Sequence, residues 1–174
     1  DDLGQFGLGL IDPGHIGEGD PGFLIGHIHL GLALGEAQRP LGAATHAAAP
    51  LMIREGKGGS IINVASIEAS RAAPNFAVYA ACKAGMLSFT KSMALEFSEH
   101  KIRVNCISPG LVKTDFAKAL WEDQATKEQR EEETPLRRIG EPNDIAGAAV
   151  FLASKAGSWT TGQNIVVDGG VTAV

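Results

Sequence analysis

The sequence predicts an α/β fold built on a parallel sheet. Short apolar runs of the kind that form buried strands occur at 60–65, 102–107 and 163–167, and helix-forming segments alternate with them. Strands that alternate with helices pair in parallel through right-handed crossovers. At 174 residues the chain supports one domain with a real core and is too short for two.

The composition changes near residue 45. Before Thr45 there is no Ser or Thr, before Asn63 no Asn and before Val64 no Val, while glycine is dense and His15, His27 and His29 are scattered among the glycines. Such a stretch lacks helix caps, β-branched runs and a helical period, so residues 1–40 are expected to be an irregular, aberrant N-terminal segment. Regular signals fill 41–174. Residues 43–54 are Ala-rich and suit a helix ended by Glu55-Gly56-Lys57-Gly58-Gly59. The first apolar run, 60–65, is the next strand. Asn75 is placed to cap a long helix over 76–98, with Leu87, Met93 and Leu95 on its apolar faces. The strand at 102–107 closes on Ser108-Pro109-Gly110. Residues 116–133 read as a strongly charged helix. Pro142 opens a helix through 153, where proline suits the first helical position. The last strand, 163–167, stops at Asp168-Gly169-Gly170.

Bulk properties narrow the function classes. Hydrophobic and charged fractions of 44% and 20% are those of ordinary soluble proteins. No apolar run approaches the roughly 18 residues of a membrane span, and no signal peptide is readable. A formal charge of −5 offers no attraction for nucleic acid or an anionic membrane. Cys82 and Cys106 fit no metal spacing and are expected as buried thiols in a reducing, cytoplasmic setting.

The chemistry is carried by Tyr79-Ala80-Ala81-Cys82-Lys83, which puts a phenol and an ammonium at i and i+4 on one helix face. A free tyrosine has a pKa of about 10, too high for easy proton exchange at neutral pH. A cation beside it favours the phenolate, as a general acid/base requires. Ser66, thirteen residues earlier, stands at the C-terminal end of the preceding strand, the edge at which open α/β sheets bind ligands. Hydroxyl, phenol and ammonium are therefore expected to face one crevice. Alone, a Tyr/Lys pair at this spacing also describes a surface pair on a helix. His46 and His100 are expected at the surface, and Cys82 on another face of the helix.

Gly59-Ser60-Ile61-Ile62-Asn63-Val64-Ala65-Ser66, the Tyr79/Lys83 pair, Arg103-Val104-Asn105 through Ser108-Pro109-Gly110, Arg138-Ile139-Gly140-Glu141-Pro142, Thr161-Gly162-Gln163 and Val167-Asp168-Gly169-Gly170 together resemble the consecutive blocks of the short-chain dehydrogenases/reductases, over about 45–171. The resemblance implies a Rossmann-like, doubly wound parallel sheet. It also implies an oxidoreductase that uses NAD or NADP to interconvert a small-molecule carbonyl and a secondary alcohol. By the same resemblance Tyr79 is the proton donor in reduction and the acceptor in oxidation. Lys83 lowers the phenol pKa and binds the nicotinamide ribose, and Ser66 donates to the substrate oxygen as charge develops. Pro109 and Gly110 shape the turn beside the nicotinamide, while backbone near Val112 and the Thr114 hydroxyl contact its carboxamide or a phosphate. Residues 115–133, with Phe116, Leu120 and Trp121, stand where the family has its substrate lid and are reminiscent of the carbonyl-reductase branch. Family tetramers imply a homo-oligomer built from the helices around Thr45 and Tyr79 and the last strand.

The chain departs from the pattern upstream. Family members place a Gly-rich phosphate loop, a cofactor selector and an Asn-Asn-Ala-Gly stretch before the serine, and Ala37 stands where a catalytic Asn is usual. The glycines of Gly4-Gln5-Phe6-Gly7-Leu8-Gly9 are not read as that loop, because no strand precedes and no helix follows them. The N-terminal half is expected to be truncated or aberrant, with 1–40 the product of a shifted reading frame and dinucleotide binding impaired. Translating the underlying DNA in the other frames tests this. A non-catalytic remnant or oligomerisation partner stays open, as does an epimerase or dehydratase, which the compact tail disfavours.

Overall fold

The computed structural model describes the backbone of residues 23–26 and residues 42–173. Four strands, β1 (Phe23–Gly26), β2 (Gly59–Val64), β3 (Ile102–Pro109) and β4 (Asn164–Val167), form one sheet in the order β1-β2-β3-β4. All three pairings are parallel. The helices are α1 (Ala43–Glu55), α2 (Ala77–Glu96), α3 (Gln124–Glu133) and α4 (Pro142–Ala153).

Alternation along the strands distributes the core. Ile61 and Ile62 are consecutive and fully buried, yet they serve opposite faces of the sheet. Ile61 joins Ile102 and Val104 against Met52 of α1 and Met93 of α2. Ile62 and Ile107 pack on Leu152 of α4. Helices thus cover both faces, as a doubly wound sheet requires, and each such side chain contributes about 1.5–3 kcal/mol of burial. The C-terminal carbonyl of Leu152 on α4 is satisfied from the sheet: Arg103 Nη2 donates to it at 2.7 Å and Ser60 Oγ at 2.9 Å.

Several boundaries differ from the sequence expectation. Asn75 does not cap α2. It takes a left-handed conformation (φ 67°), which asparagine tolerates, and turns the chain so that Phe76 precedes the helix. The expected charged helix over 116–133 is broken in two. A 3₁₀ turn runs over Asp115–Leu120, and α3 starts afresh where Asp123 accepts from Thr126 N–H at 2.9 Å and its hydroxyl at 2.8 Å. A cap inside a would-be helix restarts it. β3 runs on to Pro109, because β4 pairs with Cys106–Pro109 and proline at a strand's end gives up little. β1, unforeseen, falls in the segment expected to be irregular. Its register runs from Phe23 opposite Ser60 to Gly26 opposite Asn63, so β2 supplies the pairing that Phe-Leu-Ile does not announce by itself. The rest of the 1–40 expectation, Ala37 included, lies outside the described residues. Among the described residues, no helix is long and apolar enough to cross a membrane, and no His, Cys, Asp and Glu residues cluster as metal ligands.

Candidate active site

β2 and β3 are parallel, with Val64 opposite Ile107, so their C-terminal ends open on one edge. Ala65 extends the ladder by donating to Ile107 O at 2.8 Å. The chain then leaves the sheet at Ser66. This residue caps a 3₁₀ turn over Ile67–Ala69, its Oγ accepting from Glu68 N–H at 3.2 Å. That turn packs on α2, which carries Tyr79, Lys83, Met86 and Thr90 toward the sheet. Tyr79 and Lys83 share that face because four residues make about one helical turn.

The three expected groups come together. The Ser66 side chain acts on the Tyr79 phenol and lowers its pKa. The Lys83 ammonium lies 5.7 Å from the centre of the Tyr79 ring and donates to Val64 O at 3.0 Å. Lys83 is only 6% exposed. Burial pushes the phenol pKa above its ordinary value, Ser66 opposes that rise, and the Glu68 charge adds to it. Burial lowers the Lys83 pKa, with Cys106 and Cys82 acting the other way. The ammonium donates to the Val64 carbonyl, and at the phenol burial is the largest influence. Burial pushes the Cys106 thiol up to about 11, whereas Cys82 is half-buried.

The expected cofactor-side residues lie on the segment leaving β3, at the same edge. Pro109 pairs with Val167 at the end of the ladder. Gly110 has a packing reason of its own: a Cβ there would come within 2.9 Å of the Asp168 backbone. Lys113 N–H and Leu111 O bond Gly140, so the intervening Val112 directs its amide away from Gly140. The Thr114 hydroxyl is occupied locally, accepting from Ala117 N–H at 3.4 Å, and the Trp121 indole donates to Thr114 O at 3.0 Å. A cavity of about 160 Å³ opens between Val112, Thr134, Arg138 and Asp168.

Two features escaped the sequence reading. Asn63, inside an apolar strand, donates to Thr90 Oγ1 at 2.9 Å and so ties β2 to α2 beneath the crevice. Its signal is a polar residue amid Ile-Ile and Val. The second is the Glu68–Arg71 ion pair (2.6 and 3.1 Å to one carboxylate oxygen) on the turn after Ser66, which no periodicity announces.

Comparison with known proteins agrees with this geometry. Residues 39–172 match the family profile described as enoyl-(acyl carrier protein) reductase. Human dehydrogenase/reductase SDR family member 4 is 44% identical over 126 residues, covering 72% of this chain and 45% of that protein. The 3-oxoacyl-[acyl-carrier-protein] reductase FabG of Chlamydia pneumoniae is 47% identical over 116 residues, covering 67% and 46%. A gluconate 5-dehydrogenase from Burkholderia cenocepacia J2315, solved in complex with NADP and tartrate, superimposes with a TM-score of 0.73 at 36% identity, covering 77% and 52%. The chain spans about half the length of these relatives. With the profile matched over most of its residues, the chain belongs to the short-chain dehydrogenase/reductase family.

Proposed function

We propose that this chain carries the reacting groups of an NAD(P)-dependent oxidoreductase that interconverts a carbonyl and a secondary alcohol. The observation that carries the reading is the convergence of Ser66, Tyr79 and Lys83 on one crevice at the carboxyl edge of the sheet. The nicotinamide, when bound, supplies or takes the hydride. In reduction the Tyr79 phenol gives its proton to the carbonyl oxygen, and the Ser66 hydroxyl donates to the same oxygen. In oxidation Tyr79 takes the proton back. The buried Lys83 ammonium holds the ribose. Pro109 and Gly110 shape the turn under the ring, and the Val112 amide and Thr114 hydroxyl hold the carboxamide or a phosphate. The edge fits such a group: it offers a desolvated cation, two hydroxyls and an amide turned from its own β-bridge. The NADP complex of the Burkholderia relative supports the cofactor class.

The segment after Thr114 acts as the substrate lid, since neither its 3₁₀ turn nor α3 buries a residue, and Phe116 is 71% exposed. Exposed Leu51, Val150, Phe151 and Val166 support a homo-oligomer, a tetramer as in the family, and sedimentation tests it. Two free cysteines support a reducing, cytoplasmic setting.

The test is reductase turnover of the full chain with NADH or NADPH and a panel of small ketones, beside Tyr79→Phe. Saturable enhancement of nicotinamide fluorescence is expected. Turnover should fall roughly 100-fold or more in the variant, with the melting curve nearly unchanged. Dinucleotide binding absent from the intact chain supports a non-catalytic partner instead.

A further inference from the structure

The face that α2 buries reads Lys83, Met86, Thr90, Met93 and Ala94, so two polar residues stand about two helical turns apart among methionines. Both are spent on β2, at consecutive residues. Lys83 Nζ donates to Val64 O at 3.0 Å, and Thr90 Oγ1 accepts from Asn63 Nδ2 at 2.9 Å. Thr45 Oγ1 of α1 reaches Asn63 Oδ1 at 3.5 Å, so both ends of the amide are engaged. Thr45, Asn63 and Thr90 are each 1% exposed. A polar pair this deep gains little net stability over apolar side chains of the same shape. Ile61, on the same face of β2, packs with Met93 and shows that this face accommodates an apolar residue. Stability alone therefore does not call for an amide at Asn63. What the bond supplies is direction. Methionines adapt to a shifted neighbour, whereas a hydrogen bond weakens steeply as its geometry departs from the ideal.

We propose that Asn63 and Thr90 are positioning residues for Lys83: their bond fixes the register of α2 on β2 and so sets the ammonium at the Val64 carbonyl. The lever is short. Asn63 and Val64 are adjacent, so the residue that anchors the helix and the residue that receives the ammonium move together. A slide of α2 by one residue's rise, about 1.5 Å, exceeds the tolerance of either bond. That the ammonium so placed serves a dinucleotide rests on the function proposed above. That Asn63 and Thr90 hold it does not.

Amine labelling reads the position directly. The full chain is treated with a low dose of acetic anhydride at one fixed pH, and mass spectrometry compares acetylation at buried Lys83 with that at Lys91, an exposed lysine of the same helix. Thr90→Val keeps the shape of the side chain and removes the acceptor. It should raise the Lys83-to-Lys91 ratio roughly tenfold, the equilibrium effect of losing one buried hydrogen bond. Thr90→Ser keeps the hydroxyl, removes the methyl and should stay close to wild type. A packing role gives the reverse order. Asn63→Leu combined with Thr90→Val makes both partners apolar, so urea unfolding should return toward wild type while Lys83 stays fast. Recovery of both together, Lys83 protected in Thr90→Val, or faster labelling in Thr90→Ser than in Thr90→Val overturns the proposal. Should the double variant not fold, the order of the two Thr90 variants decides alone. In turnover, Thr90→Val should raise KM for the dinucleotide more than it lowers kcat, since the ammonium holds the ribose. Faster Lys83 labelling in a chain that neither binds nor turns over NADH or NADPH leaves the positioning standing and overturns the enzymatic assignment. Turnover lost in Tyr79→Phe, with Lys83 equally protected in every Asn63 and Thr90 variant, does the reverse.

Discussion

The stretch from β2 to β3 and the stretch from Thr114 to Thr134 both border the same sheet edge, yet they are held by opposite means. In the first, Ile61, Ile62, Met86, Val104 and Ile107 are almost wholly buried, and Lys83 and Asn63 spend their donors on β2 and α2. In the second, neither the 3₁₀ turn nor α3 buries a side chain. What shapes it is local: the Asp123 cap, the Lys127–Glu131 and Arg130–Glu133 pairs, and the glutamine–glutamate bonds on α3. Burial holds the first stretch in place, whereas the second is held by weak, solvent-screened pairs.

The comparison can be broken most forcefully by truncation. Ile62→Ala, between the sheet and α4, should cost about 2–5 kcal/mol in urea unfolding. Phe116→Ala should stay within about 0.5 kcal/mol while raising KM for an apolar ketone. Equal costs at the two positions would erase the distinction.

Next in size is a pH effect at Lys83. Burial depresses its folded pKa below the ordinary 10.5, so between those two values the unfolded chain binds more protons than the folded one. Stability contributed by this site therefore rises with pH through that window, and the burial penalty is fully present below it. Relative to Lys83→Met, wild type should gain stability as pH climbs toward 10.5, read from denaturant midpoints at a series of pH values. Parallel curves for the two proteins would mean that the ammonium is not desolvated. The smallest effect is at Asp123. Asp123→Ala should fray α3 and lower helicity slightly, raising KM with kcat and the global melt unchanged.

How much of this was legible depended on which force fixes each part. Strands and helices that bury a periodic face could be read closely: α4 was expected over 142–153 and is found there, because Pro142 and a continuous apolar run both point to it. The placement of Ser66, Tyr79 and Lys83 at one edge was legible because Tyr79 and Lys83 are four residues apart on one helix and Ser66 ends a strand. Asn75 misled because asparagine serves caps and left-handed turns equally well. The break at Asp123 was hidden by a composition that suits helix throughout. β1 is specified more by its partner β2 than by its own four residues. The sense of the Tyr79 shift depends on burial, which residue types alone do not state.

The claim beneath the whole account is that the Ser66 hydroxyl acts on the Tyr79 phenol across one crevice. The ¹³C titration of the single tyrosine in Ser66→Ala, compared with wild type, measures it without requiring turnover. Loss of the Ser66 donor should displace the phenol curve to higher pH, with the fold retained. Superimposable curves would contradict the account, because they would mean that the two hydroxyls do not meet.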